Sequence, residues 1–327
     1  MGFQFIKINN AIARNKEVSE GAKLMFALFS ANKKNGEYNI FCTNISSIIH
    51  MLNGKYNTTT IKSYKKDLKE IIDIGAVTLF SDMSYKYEIS TSNLKAGDYF
   101  YIRINDGFIE SKDFINQFNF NENDTTEFNI LQYKGFSSMY IDDFVRFLEY
   151  EFPNNIKKAK LFSVYLVILS RANIDFKNVS SLSNINYESL DTMCLYANAE
   201  LKSIVEYTKI LCDSQFIFKV TLHEYKSKSI NSRNIYARYR DRSRIFRALD
   251  TDLSGLPFTN FAIRRINNIE ITNEQSDKIM KTIKELNGTI NNDIVDKYIL
   301  QKLLINCWQC DTILSIGLYH RYTKQKY

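Results

Sequence analysis

Two groups of polar side chains in this 327-residue chain are spaced to recognise a polyanion. The first lies in residues 57–73, NTTTIKSYKKDLKEIID, where Thr58, Thr59 and Thr60 offer hydroxyls. Lys62, Lys65, Lys66 and Lys69 follow at helical spacing, so a helix would gather them into one cationic stripe. Ile61, Tyr64, Leu68, Ile71 and Ile72 form an apolar stripe about a third of a turn away. Asn57 stands where an N-cap belongs. Such a helix packs on one side and presents hydroxyls and ammonium groups on another. That suits the DNA major groove, with the N-terminal residues nearest the base edges. An ordinary surface helix with solvated lysines would carry the same pattern.

The second group is a window of arginines. Between Lys219 and Arg247 stand Lys219, Lys226, Lys228, Arg233, Arg238, Arg240, Arg242, Arg244 and Arg247 against Glu224 and Asp241. The excess of that window equals the formal net charge of the whole chain, +7, so the remainder is balanced. Arg238, Arg240, Arg242 and Arg244 alternate, and an extended chain would put them on one face. Tyr225, Tyr236 and Tyr239 are interleaved. Four like charges in a row repel unless an anion lies across them. The window therefore predicts phosphate neutralisation, salt-dependent and largely indifferent to sequence. An acidic protein or an anionic membrane surface is the alternative.

Other chemistry leaves little trace. No GxxxxGK[ST] loop occurs, since Gly54-Lys55 lacks both the upstream glycine and the hydroxyl partner. The three histidines, His50, His223 and His320, form no His-x-His pair of the kind metal-dependent nicking needs. Cys307-Trp308-Gln309-Cys310 is a lone CxxC without a second pair of ligands, which reads as packing rather than zinc or redox chemistry. Asp142-Asp143 reads as a solvated face. No catalytic residue, metal site or cofactor is predicted, and the expected mode of action is binding.

The helix and the arginine window need elements to hold them. Hydrophobic residues make up 45% and charged residues 24% of the chain, with only two prolines, so most of it should fold. No signal-peptide pattern opens the chain and no apolar run approaches a membrane span. Its scattered cysteines point to reduced thiols and a cytoplasmic location. Residues 3–8 suit a short strand or an extended arm, and Ser19 caps a predicted helix reaching about Lys34. A short strand is predicted at 38–41. Asn44 caps a second helix with Ile45, Ile48, Ile49 and Leu52 on one face, closed by Asn53-Gly54. After the Asn57 helix come predicted strands at 77–80, 85–89 and 99–104. That is the element order of a winged helix-turn-helix.

Residues 5–36, FIKINNAIARNKEVSEGAKLMFALFSANKKNG, and 44–71, NISSIIHMLNGKYNTTTIKSYKKDLKEI, carry a resemblance. They look like the N-terminal winged-helix domain of plasmid replication initiators of low-GC Gram-positive bacteria, a pattern shared with phage replication and regulatory proteins. Ile8-Asn9-Asn10 replaces the usual Ile-Pro, and Gly54-Lys55-Tyr56-Asn57 replaces a small-residue turn. The resemblance implies double-stranded DNA at origin repeats as the ligand, assembly as a homodimer or larger array, and host helicase-loading proteins as partners. A transcriptional regulator or partition protein of a mobile element is the alternative. So is a winged-helix scaffold for protein contacts.

The pattern then returns. Lys160-Leu161-Phe162-Ser163 echoes Lys23-Leu24-Met25-Phe26, and Leu201-Lys202-Ser203-Ile204 echoes Ile61-Lys62-Ser63-Tyr64. Strands at 216–222 and 235–239 would make a second, more basic wing containing the arginine window, with Lys202 on the helix before it. The expected architecture is α+β and helix-rich. A first winged helix spans 1–105, and a bridge with an amphipathic helix (Ile141, Phe144, Val145 and Leu148 on one side) spans 106–153. A second winged helix fills 154–247, and a helical segment 248–327 follows.

Overall fold

The computed structural model describes residues 5–32, 40–105, 107, 135–153, 156–172, 185–226, 229–250, 261–286 and 289–296. The fold is α+β. In chain order the elements begin with β1 (Phe5–Asn9), α1 (Asn10–Ala13), α2 (Glu20–Asn32), β2 (Ile40–Thr43), α3 (Ile45–Met51), α4 (Thr58–Asp73), β3 (Val77–Phe80) and β4 (Phe100–Ile104). There follow β5 (Phe136–Tyr140), α5 (Ile141–Glu149), α6 (Lys158–Arg171), β6 (Ile185–Asn186), α7 (Leu190–Ala197) and α8 (Leu201–Asp213). The last are β7 (Ile217–Lys226), β8 (Ser229–Arg238), α9 (Ser243–Leu249), β9 (Phe261–Ile266), β10 (Ile269–Glu270), α10 (Asn273–Leu286) and a short α11 (Asn292–Ile294). None of the described helices is long and apolar enough to cross a membrane. Two compact units form, one from Met1–Asn173 with Ser189–Leu211, the other from Ile174–Glu188 with Cys212–Tyr327.

In the first unit two helices are apolar nearly all round and therefore central. Residues 22–29 of α2 and 161–170 of α6 are all buried, and the two helices pack together. Ser19 starts α2, its hydroxyl accepting from the Ala22 N–H at 3.2 Å. Strands β1 and β5 pair antiparallel, Phe5 with Tyr140 and Asn9 with Phe136, so the ladder is symmetric about Lys7 and Ser138. A three-stranded sheet runs β2-β4-β3, with β4 in the middle.

The elements after α6 repeat those after α2. The order helix, strand, helix, helix, strand, strand recurs as α6, β6, α7, α8, β7 and β8. Strand pairing recurs with it, since β6, β8 and β7 lie in the order of β2, β4 and β3. In the second unit this sheet gains two strands and becomes β10-β9-β7-β8-β6. Helices α9 and α10 close its core over Phe218, Val220, Ile235, Phe246, Ile263 and Ile283.

Several expectations need correction. Segment 248–327 is not simply helical, because it supplies β9 and β10 to the sheet. They are joined at Asn267-Asn268, and Asn267 adopts φ +52°, which asparagine tolerates. Residues 85–89 make one bridge, Glu88 with Phe80, instead of a strand. Asp82 caps a turn by accepting from the Ser84 N–H at 2.7 Å, and Tyr85 adopts φ +55°, which takes the chain off the sheet. On α5 the buried apolar side chains are Phe144, Phe147 and Leu148, while Val145 is exposed. Asp143 is buried with the Arg146 guanidinium at 4.0 Å, so only Asp142 lies on a solvated face. Cys307 and Cys310 lie outside the described residues.

Candidate nucleic-acid interface

Helix α4 is built from its cap outward. The Asn57 side chain accepts from the Thr60 N–H at 2.8 Å, satisfying one of the N–H groups that a helix start leaves open. Before it, Asn53 adopts φ +55° and Gly54 donates to the Ile49 carbonyl at 2.8 Å, so the chain turns tightly out of α3. Leu68 and Ile71 are buried, and Ile61, Tyr64 and Ile72 are half-buried. The opposite face leaves Thr58, Thr59, Lys62, Ser63 and Lys66 in solvent, with Thr60 half-buried.

The predicted lysines separate into two kinds. Lys65 is half-buried and donates to the Leu94 carbonyl, and Lys69 pairs with Asp73 one turn on. Lys62 and Lys66 are exposed and make no ion pair among the described residues. The Ser46 N–H and hydroxyl both reach the Ala96 carbonyl at 3.0 Å, so the connection before β4 is tied to the start of α3 and, through Lys65, to the middle of α4. Around this end Lys55, Tyr56, Lys95 and Tyr99 are exposed, and the Tyr56 hydroxyl lies 3.4 Å from that of Ser46. Sequence reasoning passed over these tyrosines, although an aromatic in so polar a turn is itself a signal.

The C-terminal half of α4 faces different surroundings. An open groove of about 570 Å³ runs beside it, lined by Lys16, Glu17, Glu20, Lys66, Lys69, Glu70 and Asp73 among others, so Lys66 stands at its edge. Charge there is mixed and offers no net pull on phosphate. Ser19 holds the helix at this point, its N–H donating to Glu70 at 2.5 Å and its hydroxyl to Asp67 at 3.0 Å. Burial pushes the Asp67 carboxyl up to about 6, with the Ser19 hydroxyl opposing and Glu70 reinforcing the shift. A polyanion is better served by the N-terminal half.

The arginine window is not a strip. Strand β8 ends at Arg238, residues 239–241 form a 3-10 turn and α9 begins at Ser243, so the alternating positions share no face. Arg238 is fully buried and donates to the Asp241 carboxylate at 3.2 Å. Arg242 is buried, grips both oxygens of Asp296 and donates to the Tyr239 carbonyl at 2.9 Å. Arg233 donates to the buried Glu224 at 2.8 Å, and Arg247 to the Ile290 carbonyl at 2.7 Å. Arg240 and Arg244 are half-buried, and Lys202 is exposed on α8. Lys226 lies at the end of β7, and Lys228 falls outside the described residues. Carboxylates and carbonyls of the fold itself answer much of this charge.

Two buried cations of the first unit were also missed. Lys23 Nζ donates to the Ser163 hydroxyl at 3.3 Å and the Tyr196 carbonyl at 3.2 Å. Burial lowers its pKa to about 8, against the pull of Glu20 and Glu70. The Arg14 guanidinium lies 3.9 Å from the Tyr196 ring centre and donates to the Ser170 hydroxyl at 3.1 Å. A lysine inside the run AKLMFALF was the available sign of the first. Comparison with protein-family models and with curated proteins gave no match.

Proposed function

We propose that this chain is a sequence-specific double-stranded DNA-binding protein made of tandem winged helix-turn-helix modules. In this reading it acts as a plasmid or phage replication initiator at repeated origin sites. The observation that carries the proposal is the capped α4, whose exposed face runs through Thr58, Thr59, Lys62, Ser63 and Lys66, with neither lysine in an ion pair among the described residues. Recurrence of both element order and strand pairing supports the tandem modules. The initiator role rests on the resemblance of residues 5–36 and 44–71 to plasmid initiators.

In this mechanism α4 enters the major groove from its N-terminus. Threonine hydroxyls then lie near base edges, while Lys62 and Lys66 neutralise phosphates. In this reading the exposed loops at 81–87 and 95–99, with Lys86 and Lys95, supply the wing that follows the DNA backbone. No bond is made or broken, and host helicase-loading proteins are recruited by contact.

Selection of bound fragments from random-sequence duplex, at low and physiological salt, tests this. Enrichment of a repeated motif with steep salt dependence is the expected result. Absence of binding at low salt would overturn the proposal, and binding without any enriched motif would overturn its sequence-specific part.

A further inference from the structure

Helix α8 occupies in the second repeat the place of α4 in the first, and its outer face is of another kind. Leu201 and Val205, one turn apart, are 50% and 52% exposed, and Leu195 at the end of α7 is 54% exposed. The inner face is ordinary, with Ile204, Tyr207 and Leu211 buried. In the alignment of 61–64 with 201–204, Lys65 becomes Val205 and Lys66 becomes Glu206. Lys62 and Ser63 keep their types as Lys202 and Ser203, so what changes is the gain of an apolar stripe edged by charges of both signs.

Those edge charges point to what covers the stripe. Lys202 and Glu206 are exposed, lie on the same flank of it, and make no ion pair with each other. At the same four-residue spacing Lys69–Asp73, Lys278–Glu274 and Lys281–Glu285 do pair. A two-fold axis turns this arrangement into complementarity. If two copies of α8 lie antiparallel about a dyad level with residues 203–204, Lys202 of each meets Glu206 of the other. Leu201 and Val205 then close on their counterparts, with Leu195 at the margin. From this we infer that the α7–α8 face is a homodimer interface between two copies of the chain. The inference does not rest on the nucleic-acid reading, and it is tested without DNA.

The test is sedimentation velocity on the full chain from the micromolar range upward. Wild type is expected to pass from monomer to dimer with concentration. Leu201→Glu with Val205→Glu should abolish the dimer while circular dichroism stays unchanged, since both side chains are already in solvent. Lys202→Glu alone and Glu206→Lys alone should each weaken self-association at least tenfold. Mixing those two single variants should restore a dimer, because each reversed residue then faces an opposite charge. A role confined to helix stability within one chain gives no rescue on mixing. A wild type that stays monomeric throughout would overturn the inference. So would a dimer indifferent to all these variants.

Discussion

The molecule holds two cationic regions, and they use their charge in opposite ways. On α4 the ammonium groups of Lys62 and Lys66 stand in solvent on a helix face whose other side is anchored by Leu68 and Ile71. Around the end of β8, Arg238 and Arg242 are buried against Asp241 and Asp296. The arginine window carries the greater charge in sequence, yet the guanidinium groups of Arg233, Arg238, Arg242 and Arg247 are held by acceptors of the fold. Arginine suits that role because its planar fork satisfies several acceptors at once, whereas lysine stays a hydrated point charge. Clustered charge in a sequence is therefore evidence of a charged surface only once its partners are known.

Breaking a buried pair should have the largest effect. Arg238→Ala removes a fully buried guanidinium and strands Asp241 in a largely buried site. Loss of one partner of such a pair costs about 3–5 kcal/mol of stability. Urea unfolding should show the midpoint falling sharply, while Arg244→Ala changes it little. An Arg238→Ala protein with wild-type stability and a reduced salt slope in DNA binding would reverse the comparison, making the window a phosphate surface.

The α4 region should behave the other way round. Lys62→Ala with Lys66→Ala should leave the unfolding midpoint near wild type, because both side chains are exposed and unpaired. Binding to a selected site should weaken by about 10- to 100-fold, and the slope of log affinity against log salt should shrink by about 2 for two lost phosphate contacts. Fluorescence anisotropy across a salt series reads both quantities. An unchanged slope would remove these lysines from the interface.

Much of α4 was legible beforehand, and the physical reason is that its signals are local. The Asn57 cap acts three residues away, the apolar stripe repeats within two turns, and Asn53-Gly54 turns the chain by its own backbone preferences. The arginine window was misread because its decisive partner is distant: Asp296 lies 54 residues beyond Arg242. Alternation also implies one face only while the chain stays extended, and here a turn and a helix intervene. Lys65 shows the same limit within α4, since nothing in its own helix announces the Leu94 carbonyl that engages it. Strands β9 and β10 were readable from IRRINNIEI, where two asparagines separate apolar runs, but expectation of a helical tail hid them.

The smallest effect concerns how α4 is seated. Asp67 accepts from the Ser19 hydroxyl, and burial holds its carboxyl at about 6, above the ordinary value of 3.8. The folded protein therefore keeps this proton through a range where the unfolded chain has released it. The resulting stabilisation is present in full below about pH 4 and is lost as pH rises through 6. Asp67→Asn keeps an acceptor for the Ser19 hydroxyl and cannot ionise. It should flatten that part of the stability curve between pH 4 and 6, and leave the exposed start of α4 as it is. Urea midpoints measured at pH 4, 5, 6 and 7 separate the two proteins. Parallel curves would mean that the Asp67 carboxyl titrates normally and that Ser19 holds α4 chiefly through Glu70. A changed DNA site preference in the same variant would mean that the seat of the helix also sets its reading register.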